Sequence, residues 1–418
     1  MLFSGKGKFL GCNGSYFLYI KRYVMEKMNQ RAKVLHTMTW LAPGGGADRN
    51  VYLSMKEMRA DYELHLVVGH EIHRRDFFEL EGITVHVCPY LDRAIHPWRD
   101  LLSLIWFVRL IRREQFDIVH THETKSSLIG RIAAWLARCP RIIYGLHGVV
   151  FNDPMSKLKR DFYIYLEKWT VGCAHRIVAV GQDTLDQYRQ NKIGSGMPQQ
   201  VVFSGIDVSR YKRELDNADK RAVRQKLGIA EDAVVVVNIG RFSVAKAQHY
   251  TIKAFAKLHA QNPKLCLLLV GEGPEQEACK QLCCDLGVED NVVFAGFIED
   301  VVPVYLASEI HMLTSLREGL PSVAVEASLA RVPTVAFEVD GIHEIVIDDR
   351  TGYVVAQGDV DALADGAQKL LDDAEKRKLF GMEAFGWAIE QWDHKVMVRD
   401  LNVLYQDMLN GSDKKNKV

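Results

Sequence analysis

The 418-residue sequence has no run of about 18 apolar residues, the length a membrane-crossing helix requires. It has no excess charge of either sign. The 53 basic side chains meet 53 acidic ones, whereas a general nucleic-acid binder carries a basic surplus. Collagen-like, coiled-coil and disordered classes are excluded by a composition that is 48% hydrophobic and 25% charged. The eight cysteines contain no CxxC pair, and no Cys/His grouping has zinc-finger spacing. Several sit within apolar runs, as in Leu265-Cys266-Leu267, where cysteine behaves as a small hydrophobe and reads as a free thiol in a reducing compartment. Cys279, Cys283 and Cys284 cluster without partner ligands for a metal.

What is present is a repeated strand–loop–helix alternation. The length allows about two to three domains. Residues 1–32 mix Gly, Lys and aromatics without a period and read as an N-terminal extension; Tyr16–Ile20 is too short for a signal-peptide core. From Lys33 onward, short Val/Ile-rich segments predict buried strands at 34–40, 62–69, 83–90, 116–122, 141–147, 176–180 and 200–204. Helical segments separate most of them, which argues for a parallel sheet covered on both faces. The charged stretch Tyr211–Gln225 reads as a linker passing into a helix. Beyond it the alternation resumes with strands at 234–240, 265–271, 292–297, 310–314 and 334–337. The expected organisation is therefore a first Rossmann-like unit at 33–207, a second at 208–391, and a helix at 392–418 returning to the first.

Ligands of open parallel sheets bind beyond the carboxyl ends of the strands, so the loops there are where chemistry is expected. Ser315-Leu-Arg-Glu318-Gly319-Leu320-Pro321-Ser322 follows one strand, and Pro321 is expected to open a helix carrying Glu326. Free N–H groups at such a helix start suit a phosphate. Gly240-Arg241-Phe242-Ser243-Val-Ala-Lys246 puts two cations at another strand tip, where a diphosphate leaving group needs fixed positive charge. Gly271-Glu272-Gly273-Pro274 is expected to admit a ligand close to the backbone, and it lacks the GxGxxG spacing of a dinucleotide fold. Pro43-Gly44-Gly45-Gly46 is a weaker candidate. His120 and His122, at i,i+2 on a strand, point the same way, but no third ligand is spaced to complete a metal site.

Taken together, these segments resemble the family 4 glycosyltransferases, over nearly the whole chain from residue 34 to about 390. The matching residues are Gly44-Gly45, His120/His122, His147-Gly148, Ser204-Gly-Ile-Asp207, Gly240-Arg241 with Lys246, Gly271-Glu-Gly-Pro274, Gly296-Phe297, Glu318 with Glu326, and Gly341-Ile-His-Glu344. The resemblance implies an α/β chain of the GT-B type, two doubly wound Rossmann-like domains facing across a cleft. It implies a retaining, metal-independent hexosyltransferase without a cofactor, taking a nucleotide-sugar donor, a UDP-sugar above others. Arg241 and Lys246 would hold the donor diphosphate, Glu326 the ribose, and the backbone near Phe297 the base. Glu318 would face the donor sugar, with N–H groups around Gly319, Leu320, Pro321 and Ser322 on the phosphate. His147 would lie beside the reacting sugar, and Gly45 would touch the diphosphate from the other domain. Two departures from the pattern are Ala247 and Arg331, where relatives carry Gly.

The implied acceptor is a glycan or lipid-linked sugar in cell-surface polysaccharide or lipopolysaccharide assembly, with the protein in the cytoplasm at the inner face of the membrane. Residues 98–176 carry thirteen Lys/Arg against seven Asp/Glu, and Leu101–Ile111 is an apolar run containing Trp106 and Phe107. That combination suits peripheral contact with anionic lipid; a core helix with solvated charges is the competing reading. Two rival functions share the fold, a sugar-nucleotide 2-epimerase and a non-catalytic nucleotide-sugar-binding subunit.

Overall fold

The structure is a computed structural model describing residues 31–41, 46–69, 75–152, 155–217 and 219–411. Residues 1–30 of the expected extension, and Gly44 and Gly45, lie outside the described residues.

Two all-parallel sheets are present. The first contains β1 (Ala32–Thr37), β2 (Tyr62–Val68), β3 (Thr84–Val87), β4 (Ile118–Thr121), β5 (Ile142–Leu146), β6 (Arg176–Ala179) and β7 (Gln199–Val201), in the order β3-β2-β1-β4-β5-β6-β7. The second contains β8 (Val234–Ile239), β9 (Leu265–Val270), β10 (Val292–Phe294), β11 (Ile310–Leu313), β12 (Thr334–Phe337) and β13 (Gly352–Val355), in the order β10-β9-β8-β11-β12-β13. In each, the order reverses between the first strand and the fourth, β1/β4 and β8/β11. The crevice at such a switch point is where doubly wound sheets bind ligands. Successive residues of a strand face opposite sides, and both sides are cores here. Val34 packs with Leu64 and Ile118 on one face of the first sheet, while Leu35 packs with Phe107 and Val119 on the other.

The helix His394–Asn410 lies on the first sheet: Met397, Leu401, Leu404, Tyr405 and Met408 share a core with Val34 and Ile118. Its last carbonyls accept from Arg141: Nε reaches Met408 O at 2.6 Å and Nη2 reaches Leu409 O at 3.0 Å.

The structure differs from the sequence expectations in three places. The stretch read as a linker is two helices, Val208–Asn217 and Lys220–Lys226. Charge spacing stabilises them, through Arg210 with Glu214 at i,i+4 and Asp219 capping the N–H groups of Arg221 and Ala222. Pro321 does not open its helix, which begins at Ser322 with Pro321 in the cap position. Strand β13 was not expected; it is four residues long and begins with Gly352, whose Cβ would meet the Thr334 carbonyl oxygen at 2.0 Å.

The two departures from glycine fall where glycine is favoured. Ala247 has φ 48° and Arg331 φ 61°, in the left-handed region that costs a residue with a Cβ roughly 1–2 kcal/mol. Arg331 regains part of this by lying over the Phe385 ring at 4.8 Å. No such contact is seen for Ala247. Ala247→Gly is therefore expected to stabilise the chain by about 0.5–1 kcal/mol after the added unfolded-state entropy is counted, read as a raised urea midpoint at constant m-value.

Candidate active site

The carboxyl ends of the two sheets face each other across a cleft of about 460 Å³. Its floor on one side is β5 and the loop after it, through Tyr144, His147 and Val150; the other side supplies Ala245, Glu318 and Asp340. At Gly319 the two walls come together backbone to backbone. A Cβ on Gly319 would lie 2.1 Å from the His147 carbonyl oxygen, so only glycine lets these loops meet. Beside this contact the domains clasp reciprocally. Glu344 accepts from the backbone N–H groups of Gln182 (2.8 Å) and Asp183 (3.1 Å), capping the helix Gln182–Gln190. Asp183 in turn accepts from Gly341 N at 2.9 Å. Burial pushes the Glu344 carboxyl above its ordinary range, while the two N–H donors oppose that. The Gly341–Glu344 motif is thus an interdomain clasp in this structure.

Among the expected site residues, His147, Glu318 and Gly319 line the cleft together. Lys246 is bound to this group by an ion pair with Glu318. An ammonium has further N–H donors to offer an anion. The loop that carries Lys246 is tied to the Glu318 loop by Leu316 N donating to Ala245 O at 2.7 Å. Gln248 Nε2 staples its other end, donating to Gly240 O at 3.2 Å and Arg241 O at 3.1 Å. Arg241 itself is exposed and makes no ion pair among the described residues.

Other expected residues sit away from the cleft lining. Gly271 (φ 134°) and Gly273 (φ 158°) permit close approach, but by protein: a Cβ on either would stand 2.1 Å from the carbonyl oxygens of Gly240 and Phe242, respectively. Their requirement for glycine is thereby explained by loop packing. Phe297 is partly exposed just beyond β10. At the start of the helix Ser322–Leu329, the Ser322 N–H is taken by Leu320 O at 2.9 Å and the Ala324 N–H by Pro321 O at 2.9 Å. The expected open row of donors there is therefore partly closed within its own turn.

Glu326 is 2% exposed and is sealed from the other domain. Arg49, in the helix Gly46–Met58, forms an ion pair and hydrogen bond with its carboxylate. Tyr211 hydrogen-bonds the same group, and burial beside that carboxylate raises the Tyr211 hydroxyl far above its ordinary value. Arg49 was missed by the sequence reading, because nothing local distinguishes an arginine in Gly-Ala-Asp-Arg from a solvated charge. Two further residues lining the cleft were also not assigned. Glu123 (φ 60°), with its carboxyl raised by burial, accepts from Thr39 N at 2.6 Å; Asp340 accepts from Asn152 Nδ2 at 3.2 Å across the cleft.

The third histidine that the sequence reading lacked is His36, at the end of β1. His36, His120 and His122 place ring nitrogens within 4.8 Å of one another. In the structure these nitrogens bond one another and Tyr405 rather than standing open toward a common point. Burial lowers all three well below the ordinary value, His36 to about 3, and lowers His147 to about 4.

Two facing Rossmann-like sheets with charged loops at their switch points define a GT-B-type glycosyltransferase fold. Comparison with known proteins agrees. Residues 44–210 match the Glycosyltransferase Family 4 domain and residues 219–387 the Glycosyl transferases group 1 domain. The chain belongs to the family 4 glycosyltransferases. It is 24% identical over 354 residues to UDP-Gal:alpha-D-GlcNAc-diphosphoundecaprenol alpha-1,3-galactosyltransferase of Escherichia coli, covering 84% of this chain and 90% of that one. It is 27% identical over 352 residues to the capsular polysaccharide biosynthesis glycosyltransferase CapM of Staphylococcus aureus, covering 82% and 90%. Among solved structures, HepE of Anabaena in complex with UDP superposes with a TM-score of 0.75 at 23% identity, covering 90% of this chain and 100% of that one.

Arg49→Met leaves the buried Glu326 carboxylate without its cation. It is expected to destabilise the chain by about 2–3 kcal/mol, with Glu326→Gln in the same background restoring much of the loss. Urea titrations of the two singles and the double variant measure the coupling; additive losses would contradict it.

Proposed function

We propose that this glycosyltransferase is a retaining, metal-independent enzyme that moves a hexose from a UDP-sugar to a lipid-linked glycan at the inner membrane face, in surface polysaccharide assembly. The observation carrying this is the Lys246–Glu318 pair held opposite His147 across a cleft whose walls meet at Gly319. In this reading the acceptor hydroxyl attacks on the face from which the nucleotide leaves. Lys246 and Arg241 offset charge growing on the diphosphate, and Glu318 and His147 bracket the sugar. Closure through the Glu344–Asp183 clasp keeps water out of the cleft. The fixed cations do what a metal does at other diphosphate sites. Support for a uridine donor and a lipid-linked acceptor comes from the names of relatives: HepE is solved with UDP and with UDP-glucose, and the Escherichia coli enzyme acts on a diphosphoundecaprenol-linked sugar.

Thermal denaturation with UDP tests the donor site. UDP at about 100 times its dissociation constant is expected to add roughly 2.7 kcal/mol in EDTA, and Lys246→Ala should lose most of that. Stabilisation abolished by EDTA would contradict metal independence, and none at all would contradict a uridine donor.

No helix among the described residues is long and apolar enough to cross a membrane. The surface of the first domain nevertheless offers two apolar stripes. On the helix Pro97–Glu114, the exposed residues are Trp98 (79%), Leu101, Leu102 and Ile105, whereas Phe107 is buried in the core and Trp106 half-buried. On the helix Lys157–Thr170, Leu158 (82%), Phe162, Tyr165 and Trp169 recur at helical spacing among exposed Lys157, Lys159, Arg160 and Lys168. Not all of the local basic excess is available: Arg131 is fully buried against Glu167, Lys125 pairs with Asp100, and Arg141 caps a helix. Apolar side chains ringed by cations suit an anionic lipid surface. Sedimentation with phosphatidylglycerol vesicles is expected to retain the protein, with Phe162→Asp and Trp169→Asp each cutting retention several-fold. Equal retention by all three would assign these stripes elsewhere.

A further inference from the structure

Five side chains form one continuous hydrogen-bonded row leading from the cleft into the core of the first sheet. His147 Nε2 meets His122 Nδ1 at 2.8 Å, and His122 Nε2 meets His36 Nδ1 at 2.9 Å. His36 Nε2 meets Tyr405 Oη at 3.3 Å, and Tyr405 Oη meets His120 Nδ1 at 2.7 Å. His36, His120 and His122 come from the adjacent strand ends of β1 and β4; Tyr405 is brought by the helix His394–Asn410. Beyond His147 the row is buried, with His36, His120, His122 and Tyr405 all at 3% exposure or less.

A neutral imidazole has one N–H donor and one bare acceptor nitrogen. Burial keeps these four rings neutral, so each interior ring that uses both nitrogens must receive at one and give at the other. The row therefore has a single direction, and its buried end determines which nitrogen of His147 carries the proton. We assign the direction in which the hydroxyl donates in the shorter of its two bonds, 2.7 Å to His120, and accepts from His36 Nε2–H in the longer, at 3.3 Å. It follows that His122 gives from Nε2 to His36, and His147 gives from Nε2 to His122. His147 Nδ1, which the row does not use, is left as a lone-pair acceptor.

We propose that His36, His122 and Tyr405 are positioning residues that lock His147 in its Nε2–H tautomer, so that it presents an acceptor nitrogen to a sugar hydroxyl in the cleft. The role for the hydroxyl rests on the transferase reading of the cleft, whereas the tautomer lock rests on the row alone. A donor nitrogen at that point would suit a sugar oxygen lacking a proton. An acceptor selects a free hydroxyl, either on the transferred sugar or on the attacking acceptor, and orients it by the direction of its O–H.

The test is nitrogen NMR of histidine-labelled protein at pH 7.5, with the His147 signals assigned by their loss in His147→Gln. In the wild type, Nε2 is expected to be pyrrole-like and Nδ1 pyridine-like. Tyr405→Phe keeps the ring volume and removes both hydroxyl bonds; both His147 lines should then move toward each other as the second tautomer becomes populated. A loss of packing alone would not produce that signature. A wild-type His147 protonated on Nδ1, or a His147 pattern unchanged by Tyr405→Phe, overturns the proposal. If Tyr405→Phe does not remain folded, His36→Asn takes its place, since it retains a group beside His122 while cutting the link to Tyr405, and the same two outcomes apply. Thermal stabilisation by UDP is expected to be the same in Tyr405→Phe and wild type. Its absence from both would count against the donor site while leaving the tautomer result intact.

Discussion

A side chain of any size at residue 319 would collide with the His147 carbonyl, and the rest of the cleft follows from that restriction. Because the two backbones touch there, Glu318 is carried to the wall opposite His147, and through its ion pair it fixes the ammonium of Lys246. Glu344 and Asp183 exchange hydrogen bonds with backbone N–H groups at the same edge, so the approach is directional rather than a sliding contact. Thr184 Oγ1 reaches the Gly319 carbonyl at 3.5 Å from the first turn of the helix that Glu344 caps. The domains are thus registered against one another where the Gly319 and His147 backbones meet, and by the Glu344 and Asp183 carboxylates gripping main-chain N–H groups beside that point.

The charges at the interface are arranged in pairs taken from different elements. Glu318 answers Lys246, and Glu326 answers Arg49 from the opposite domain. Each carboxylate is less exposed than the cation it pairs with. Behind the cleft wall, Arg131 lies over the Tyr144 ring at 3.4 Å and bonds Glu167 at 3.2 Å, while Tyr144 bonds Glu167 in turn. A buried set of this kind is costly to desolvate and gains little over an apolar core; what it supplies is one fixed orientation for Tyr144 at the cleft floor.

Much of this was legible in the sequence because it is local. Alternating Val/Ile segments and helical stretches mark the sheets, since a strand buried on both faces must be apolar throughout. Cations after β8 and glutamates after β11 stand out because strand tips are where parallel sheets place their chemistry. Even the departures at Ala247 and Arg331 were visible, and the structure supplies their meaning as left-handed backbone. What was not legible depends on separation. Arg49 meets a partner 277 positions away, and His36 meets His122 86 positions away. A single histidine on a strand gives no sign of its neighbours in space, so His120 and His122 looked like an incomplete metal site. Trp106 and Phe107 stayed between a core and a surface reading for a related reason: a helix covers its core with part of its circumference, and composition alone does not say which part.

Tyr405 closes the histidine row from a helix that follows the whole second domain in the chain, yet packs on the first. During synthesis on a ribosome, all seven strands of the first sheet emerge before that helix exists. The first domain's core is then uncovered on the face that Leu401, Leu404 and Tyr405 will fill, and His36 and His120 face that gap without their shared hydroxyl. Completion of the row coincides with the arrival of a segment beyond the donor-side sheet. A first domain released early therefore lacks part of its own interior, and the order of translation makes the second domain's presence a condition for the first to finish folding.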